Sequence, residues 1–303
     1  MKTATLILAL VWSATSAPAQ TRRNYTVDLE NRNPAVGTLL IVVREPNPAD
    51  LPVGIRALCS GVLIADHVFL TAGHCVGPSL PSLPPFVSAY VSFNPAALDG
   101  FTVAQPFSPP GHWISVLMQV VNPSLPPCPR PDGCDPTTTD VFQAGDPAVT
   151  DLGLVFLNSK PPGVNPAMLA PVGSLHDPQS AFIPETTVGY GHEFPDLNFR
   201  AVWDGLRKFR TSKLAKVLNG VWASWELPSS VCYGDSGAPT FLNNLPEVLQ
   251  DRRPVVAIAS DGGIDCLIKD IRVRVDTYAV QQWIKDTVAQ QLGPQAVLQL
   301  GFR

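Results

Sequence analysis

Val231-Cys232-Tyr233-Gly234-Asp235-Ser236-Gly237-Ala238-Pro239 is the stretch whose reading decides the fold, because of what lies far upstream of it: Thr71-Ala72-Gly73-His74-Cys75. A serine hydroxyl attacks a carbonyl only when a base takes its proton and nearby donors stabilise the oxyanion that forms. Glycines on both sides of Asp235-Ser236 permit a tight turn that aims the N–H groups of Gly234 and Ser236 into one small space. His74 is the candidate base.

Working outward, Cys59-Ser60-Gly61-Val62-Leu63-Ile64-Ala65-Asp66-His67-Val68-Phe69-Leu70-Thr71-Ala72-Gly73-His74-Cys75 resembles the histidine segment of the chymotrypsin-like (trypsin-like) serine proteases. The serine segment resembles the same family, and Asp151-Leu152-Gly153-Leu154-Val155-Phe156-Leu157 resembles its strand headed by the triad aspartate. The order His, Asp, Ser is that family's order. An α/β-hydrolase would need Gly-x-Ser-x-Gly with the histidine last, but position 238 is Ala and the matched histidine comes first.

The resemblance implies an all-β fold of two antiparallel six-stranded barrels with a C-terminal helix and the active site between them. It assigns Ser236 as nucleophile, His74 as general base, Asp151 as the carboxylate that orients His74, and the N–H groups of Gly234 and Ser236 as oxyanion donors. Asp146 also precedes the strand, and the family pattern selects Asp151 because it directly abuts the apolar run. Ser260 matches a serine that buttresses the triad aspartate. Ser230, Ser260, Gly262 and Asp270 are the candidate substrate-binding positions. Ser230 implies an uncharged pocket floor, whereas an Asp270 lining the pocket would bind a basic side chain by charge pairing, so both preferences stay open. The other histidines, His67, His112, His176 and His192, match no motif and read as surface or packing residues.

Met1 to Ala19 has an early Lys2, an apolar run and Ala17-Pro18-Ala19 ahead of Gln20, the pattern of a secretory signal peptide. No stretch reaches the roughly 18 apolar residues that a membrane helix needs. A secreted, extracellular protein is therefore expected. Its domains are expected at 1–19 for the signal peptide, 20–35 for an extension open to trimming, and 36–303 for the protease domain. The barrel halves lie near 36–170 and 171–276, with a closing helix near 277–292. Asn24-Tyr25-Thr26 is a glycosylation acceptor in such a chain.

The 303 residues fit one large all-β domain, and 32 prolines with 45% hydrophobic residues suit short strands joined by rigid loops. A net charge of −4 without a Lys/Arg run gives no footprint for nucleic acid or anionic membrane. Polypeptide substrates and protein protease inhibitors are the expected partners of a monomer.

Six cysteines in a secreted chain favour disulfides. The family match implies Cys59–Cys75 and Cys232–Cys266, leaving Cys128–Cys134 to staple a proline-rich loop. No Cys pair has C-x-x-C spacing and the expected compartment is oxidising, so no metal is expected, and the triad chemistry that the resemblance implies needs no cofactor.

Family members made as zymogens expose a new N-terminal amine that pairs with the aspartate beside the serine, here Asp235. This chain has no clear cleavage site and start of that kind. A buried carboxylate without a counter-charge is costly, so some cation must reach Asp235. Trimming near Arg22-Arg23 or Arg32 would supply an amine; otherwise an internal Lys or Arg does. Two other functions fit the same residues: an inactive homologue that binds proteins, and an esterase of the same fold.

Overall fold

The structure is a computed structural model that describes residues 25–43, 54–76, 85–99, 110–124, 150–176, 184–191, 204–218, 222–226, 231–243, 253–261 and 269–302. In chain order the strands of the first half are β1 (Tyr25–Val27), β2 (Val36–Val43), β3 (Gly54–Ala65), β4 (Val68–Thr71), β5 (Val87–Ser92), β6 (Trp113–Val121) and β7 (Gly153–Leu157). The second half holds β8 (Met168–Leu169), β9 (Glu185–Gly189), β10 (Lys208–Leu218), β11 (Trp222–Glu226), β12 (Pro239–Leu242), β13 (Pro254–Asp261) and β14 (Lys269–Arg274). Helix α1 (Tyr278–Leu292), a short α2 (Pro294–Val297) and β15 (Gly301–Phe302) follow.

Strands β2-β3-β4-β7-β6-β5 close into an antiparallel barrel. β2, apolar but for Gly37 and Thr38, is buried at all eight positions, as a strand covered on both faces should be, and Thr38 donates its hydroxyl to Cys59 O at 3.0 Å. Leu39 pairs with Cys59 on one side and Val91 on the other, and Leu39, Leu63, Phe69, Val91 and Phe156 all belong to one core. The second sheet has nine strands, and six of them, β12-β9-β10-β11-β14-β13, pair in a closed cycle because β13 returns to β12. Strands β8 and β15 add to this cycle beside β13, and β1 adds beside β10.

β14 departs from the expectation that charged residues on an alternating strand face water. Arg272 and Arg274 are both fully buried, and each is neutralised by an aspartate two residues away on the same strand face. Arg272 pairs with Asp270 at 2.6 Å and Arg274 with Asp276 at 2.8 Å. The second half therefore buries ion pairs beside apolar residues such as Val188, Val255, Ile258 and Val273.

α1 starts at Thr277, whose hydroxyl accepts the N–H of Val280, and stops at Gly293 with φ 85°. It buries Val280, Ile284, Thr287 and Val288 as its periodicity predicts, while Gln281 is buried and Trp283 packs only partly against the core. Gln281 earns its burial by donating to the carbonyls of Ala170 and Val275 at 2.7 and 3.2 Å.

The segment before β2 is integral to the second sheet. β1 pairs in register with β10, Tyr25 opposite Arg210 and Val27 opposite Lys208. Just beyond it Asp28, 1% exposed, meets the fully buried Arg207 at 2.9 Å. Arg207 also donates to the carbonyls of Val36 and Phe93, so it ties this segment to the first barrel. Residues 1–24 lie outside the described part, which includes the expected signal peptide, Asn24 and Arg22-Arg23.

Candidate active site

β4 and β7 run antiparallel with Thr71 opposite Gly153, so the residues just after β4 and just before β7 leave the barrel at the same end. Those residues are His74, on a single 3₁₀ turn over Gly73–Cys75, and Asp151. Asp151 is fully buried and grips His74 twice, accepting its backbone N–H at 2.8 Å and its ring Nδ1–H at 2.8 Å. Ser260, reaching over from β13, donates to Asp151 Oδ2 at 2.5 Å. Burial alone would push the Asp151 carboxyl up, but the charge and hydrogen bonds of His74, helped by Ser260, hold it below the ordinary carboxylate value. With Nδ1 committed to the carboxylate, the lone pair of neutral His74 is on Nε2.

The Cys59–Cys75 disulfide fixes the other side of the His74 turn. The two sulfurs and a His74 ring nitrogen lie within 4.8 Å of one another, but sulfurs joined to each other offer no thiolates to a metal. Cys232 is also disulfide-bonded. Cys128, Cys134 and Cys266 fall outside the described residues, as do Asp146, His192, Ser230 and Gly262.

The serine loop is docked onto the first barrel. Ser60 N–H donates to Ser236 O at 2.8 Å, and Ser60 Oγ donates to Gly234 O at 2.7 Å. Gly237, at φ 87°, lies so close to β3 that a Cβ there would sit 2.0 Å from Ser60 O and 2.2 Å from Thr71 Oγ1. Only glycine fits. The N–H groups of Asp235, Gly237 and Ala238 donate to Cys232 O, Ala259 O and Asp235 O, whereas those of Gly234 and Ser236 donate to nothing among the described residues. Two unused donors thus flank Asp235 at the expected oxyanion positions. Ser236 is half-buried, and its Oγ has no hydrogen-bond partner among the described residues, so a His74–Ser236 side-chain bond is not closed here.

Asp235 turns inward, fully buried. Its Oδ1 accepts Gly191 N–H at 2.9 Å, and its Oδ2 accepts Cys232 N–H at 3.0 Å and Arg210 Nη2 at 2.5 Å. The approach to Gly191 is so close that a Cβ there would fall 2.2 Å from the Asp235 carboxyl carbon. The cation required by Asp235 is therefore internal, Arg210 of β10.

Asp270 is 1% exposed, with Arg272 on both of its oxygens and Val231 N–H on one. Burial pushes its carboxyl above the ordinary value, against the pull of Arg272, Val231 and the nearby charge of Arg210. Asp261 is exposed at the end of β13. Among the other histidines, a ring nitrogen of His67 donates to Leu157 O at 3.1 Å and one of His112 donates to Ala97 O at 3.1 Å, so each is tied to a backbone carbonyl. Arg210 and Arg272 were not singled out by the motifs.

Against solved structures, the chain superposes on one described as HL collagenase with TM-score 0.57 and 15% identity, covering 88% of this chain and 98% of that one. A structure of GrC, granzyme C, gives 0.55 and 17% over 87% and 98%, and a Glu endopeptidase gives 0.54 and 13% over 89% and 99%. The fold is that of the chymotrypsin-like serine proteases. In sequence, no family model and no curated protein matches the chain. At these identities the likeness speaks for the chymotrypsin-like fold alone, so the chemistry rests on the residues of this chain. His74 and Asp151 project from the first barrel, while Ser236 and Ser260 come from the second half, the division of labour that places a site between two barrels.

Proposed function

We propose that the protein is a secreted serine endopeptidase that hydrolyses peptide bonds through an acyl-enzyme. The observation that carries this reading is the buried Asp151 holding His74 by ring and backbone at once, beside a serine loop with two uncommitted amides. Ser236 Oγ attacks the scissile carbonyl carbon as His74 Nε2 takes its proton, and the carbonyl oxygen becomes an oxyanion facing the N–H groups of Gly234 and Ser236. Collapse breaks the C–N bond, His74 returns the proton to the departing amine, and water hydrolyses the Ser236 ester by the same route. Asp151 keeps the imidazole in the required tautomer and stabilises the imidazolium. No step calls on a cofactor.

Because Arg210 supplies the counter-charge to Asp235, the loop is ordered without a freed N-terminus. Secretion rests on residues 1–19, and sequencing the N-terminus of material recovered from culture medium checks it. A silent homologue that binds polypeptides draws support from the open Ser236 hydroxyl. A fluorophosphonate probe separates the two: labelling of wild type that is lost in Ser236→Ala supports the enzyme, and an unlabelled, folded wild type refutes it. Parallel peptide and small-ester substrates then distinguish a peptidase from an esterase.

A further inference from the structure

Two consecutive amides of the serine loop are held by two different buried carboxylates. Cys232 N–H goes to Asp235, within the loop, and Val231 N–H goes at 3.0 Å to Asp270 on β14. Asp270 is in turn gripped by Arg272, with Nε on Oδ1 at 2.9 Å and Nη2 on Oδ2 at 2.6 Å. Arg272 is itself immobilised, its Nη1 donating to Thr240 Oγ1 at 2.5 Å and to Thr187 Oγ1. Thr240 sits on β12, immediately after the loop, and Thr187 pairs across the sheet with Arg210. One connected set of buried charges, Arg210–Asp235 and Arg272–Asp270, thereby fastens both ends of the segment 231–236.

Resting on the reading of Ser236 as nucleophile, we propose that Asp270 is a positioning residue of the serine loop, backed by Arg272, and that its charge does not select a basic substrate side chain. An incoming ammonium would have to displace a desolvated guanidinium already bound to both oxygens, and the displacement would leave the Arg272 charge buried without its carboxylate. A basic side chain next to the scissile bond accordingly gains no charge pairing from Asp270.

The test compares two charge-neutral double variants, which avoid stranding a buried ion. Asp270→Asn/Arg272→Gln keeps an acceptor for Val231 N–H, and Asp270→Leu/Arg272→Leu removes it. Fluorophosphonate inactivation rates and cleavage of peptides with Phe, Leu, Ala, Lys or Arg before the scissile bond are measured for both and for wild type. Wild type and both double variants are expected to rank the five peptides in the same order. The Leu pair should be slower than the Asn/Gln pair by roughly tenfold, the size of one hydrogen bond to a buried amide, by the same factor for every peptide and in kcat rather than KM. Equal rates for the two pairs, or a loss confined to Lys and Arg peptides, overturns the proposal. Arg272→Lys, which keeps the charge, covers the case in which the double variants do not fold: it should slow all peptides equally, and a selective loss of basic substrates again overturns the proposal. Wild type that cleaves its peptides while Ser236→Ala does so equally well refutes the serine reading itself, and the positioning role with it.

Discussion

Replacing Arg210 by Met tests whether the serine loop is held from inside. The Arg210 side chain is 10% exposed and its Nη2 lies 2.5 Å from an Asp235 carboxylate that water does not reach. Methionine fills similar volume without charge, leaving Asp235 with the N–H groups of Gly191 and Cys232 as its hydrogen-bond donors. Removing one partner of a buried pair costs about 3–5 kcal/mol, because the remaining ion stays desolvated or must take a proton. Since Asp235 is flanked by the two amides proposed to bind the oxyanion, that penalty falls on the segment that the proposed reaction needs ordered. At a factor of ten per 1.4 kcal/mol, the ordered loop becomes roughly a hundredfold or more rarer. The assays are urea unfolding for stability and the rate of fluorophosphonate labelling for the ordered fraction. Arg210→Lys should retain most of both, and Arg210→Met/Asp235→Asn should recover stability relative to Arg210→Met, giving a coupling energy in a double-mutant cycle. Labelling of Arg210→Met at the wild-type rate, with stability within about 0.5 kcal/mol, the scatter of an ordinary surface change, would refute the reasoning. It would mean that another cation, such as an N-terminal amine, compensates Asp235.

A chain beginning at Tyr25 should keep full stability and labelling, whereas one beginning at Asn33 loses Asp28 and strands Arg207. A drop of about 3–5 kcal/mol in urea unfolding is expected for the second, with labelling falling in parallel. Gly237→Ala forces a Cβ onto Ser60 O at a φ of 87° and should abolish labelling and lower the melting temperature. In acid, the folded Asp151 titrates below its unfolded value, so the stability it contributes is complete above about pH 4 and is lost only as pH falls through the lower folded pKa. Ser260→Ala removes one donor to that carboxylate, raises its folded pKa, and should move the acid-unfolding midpoint followed by near-UV circular dichroism to higher pH.

The parts of this architecture legible in the sequence are those whose physics is local. The largely apolar run of β2, the turn glycines around Ser236 and the Thr277 cap with its apolar helix face each announce themselves within a few positions. Resemblance then supplied the long-range pairing of His74 with Asp151. The buried arginines escaped because alternation on a strand is ordinarily read as apolar inside and polar outside, which points Arg272 and Arg274 at solvent. A signal was nonetheless there. Asp270, Arg272, Arg274 and Asp276 recur at every second residue, hence on one strand face, with each arginine beside its own aspartate, so the stripe can enter an interior already neutral. Nothing comparable marks Arg207 and Asp28, 179 residues apart, or Arg210 and Asp235, whose meeting depends on how β10 crosses behind the serine loop. For Asp235 the requirement was readable where the identity was not: a carboxylate folded against glycines must find a cation, and only the topology names Arg210.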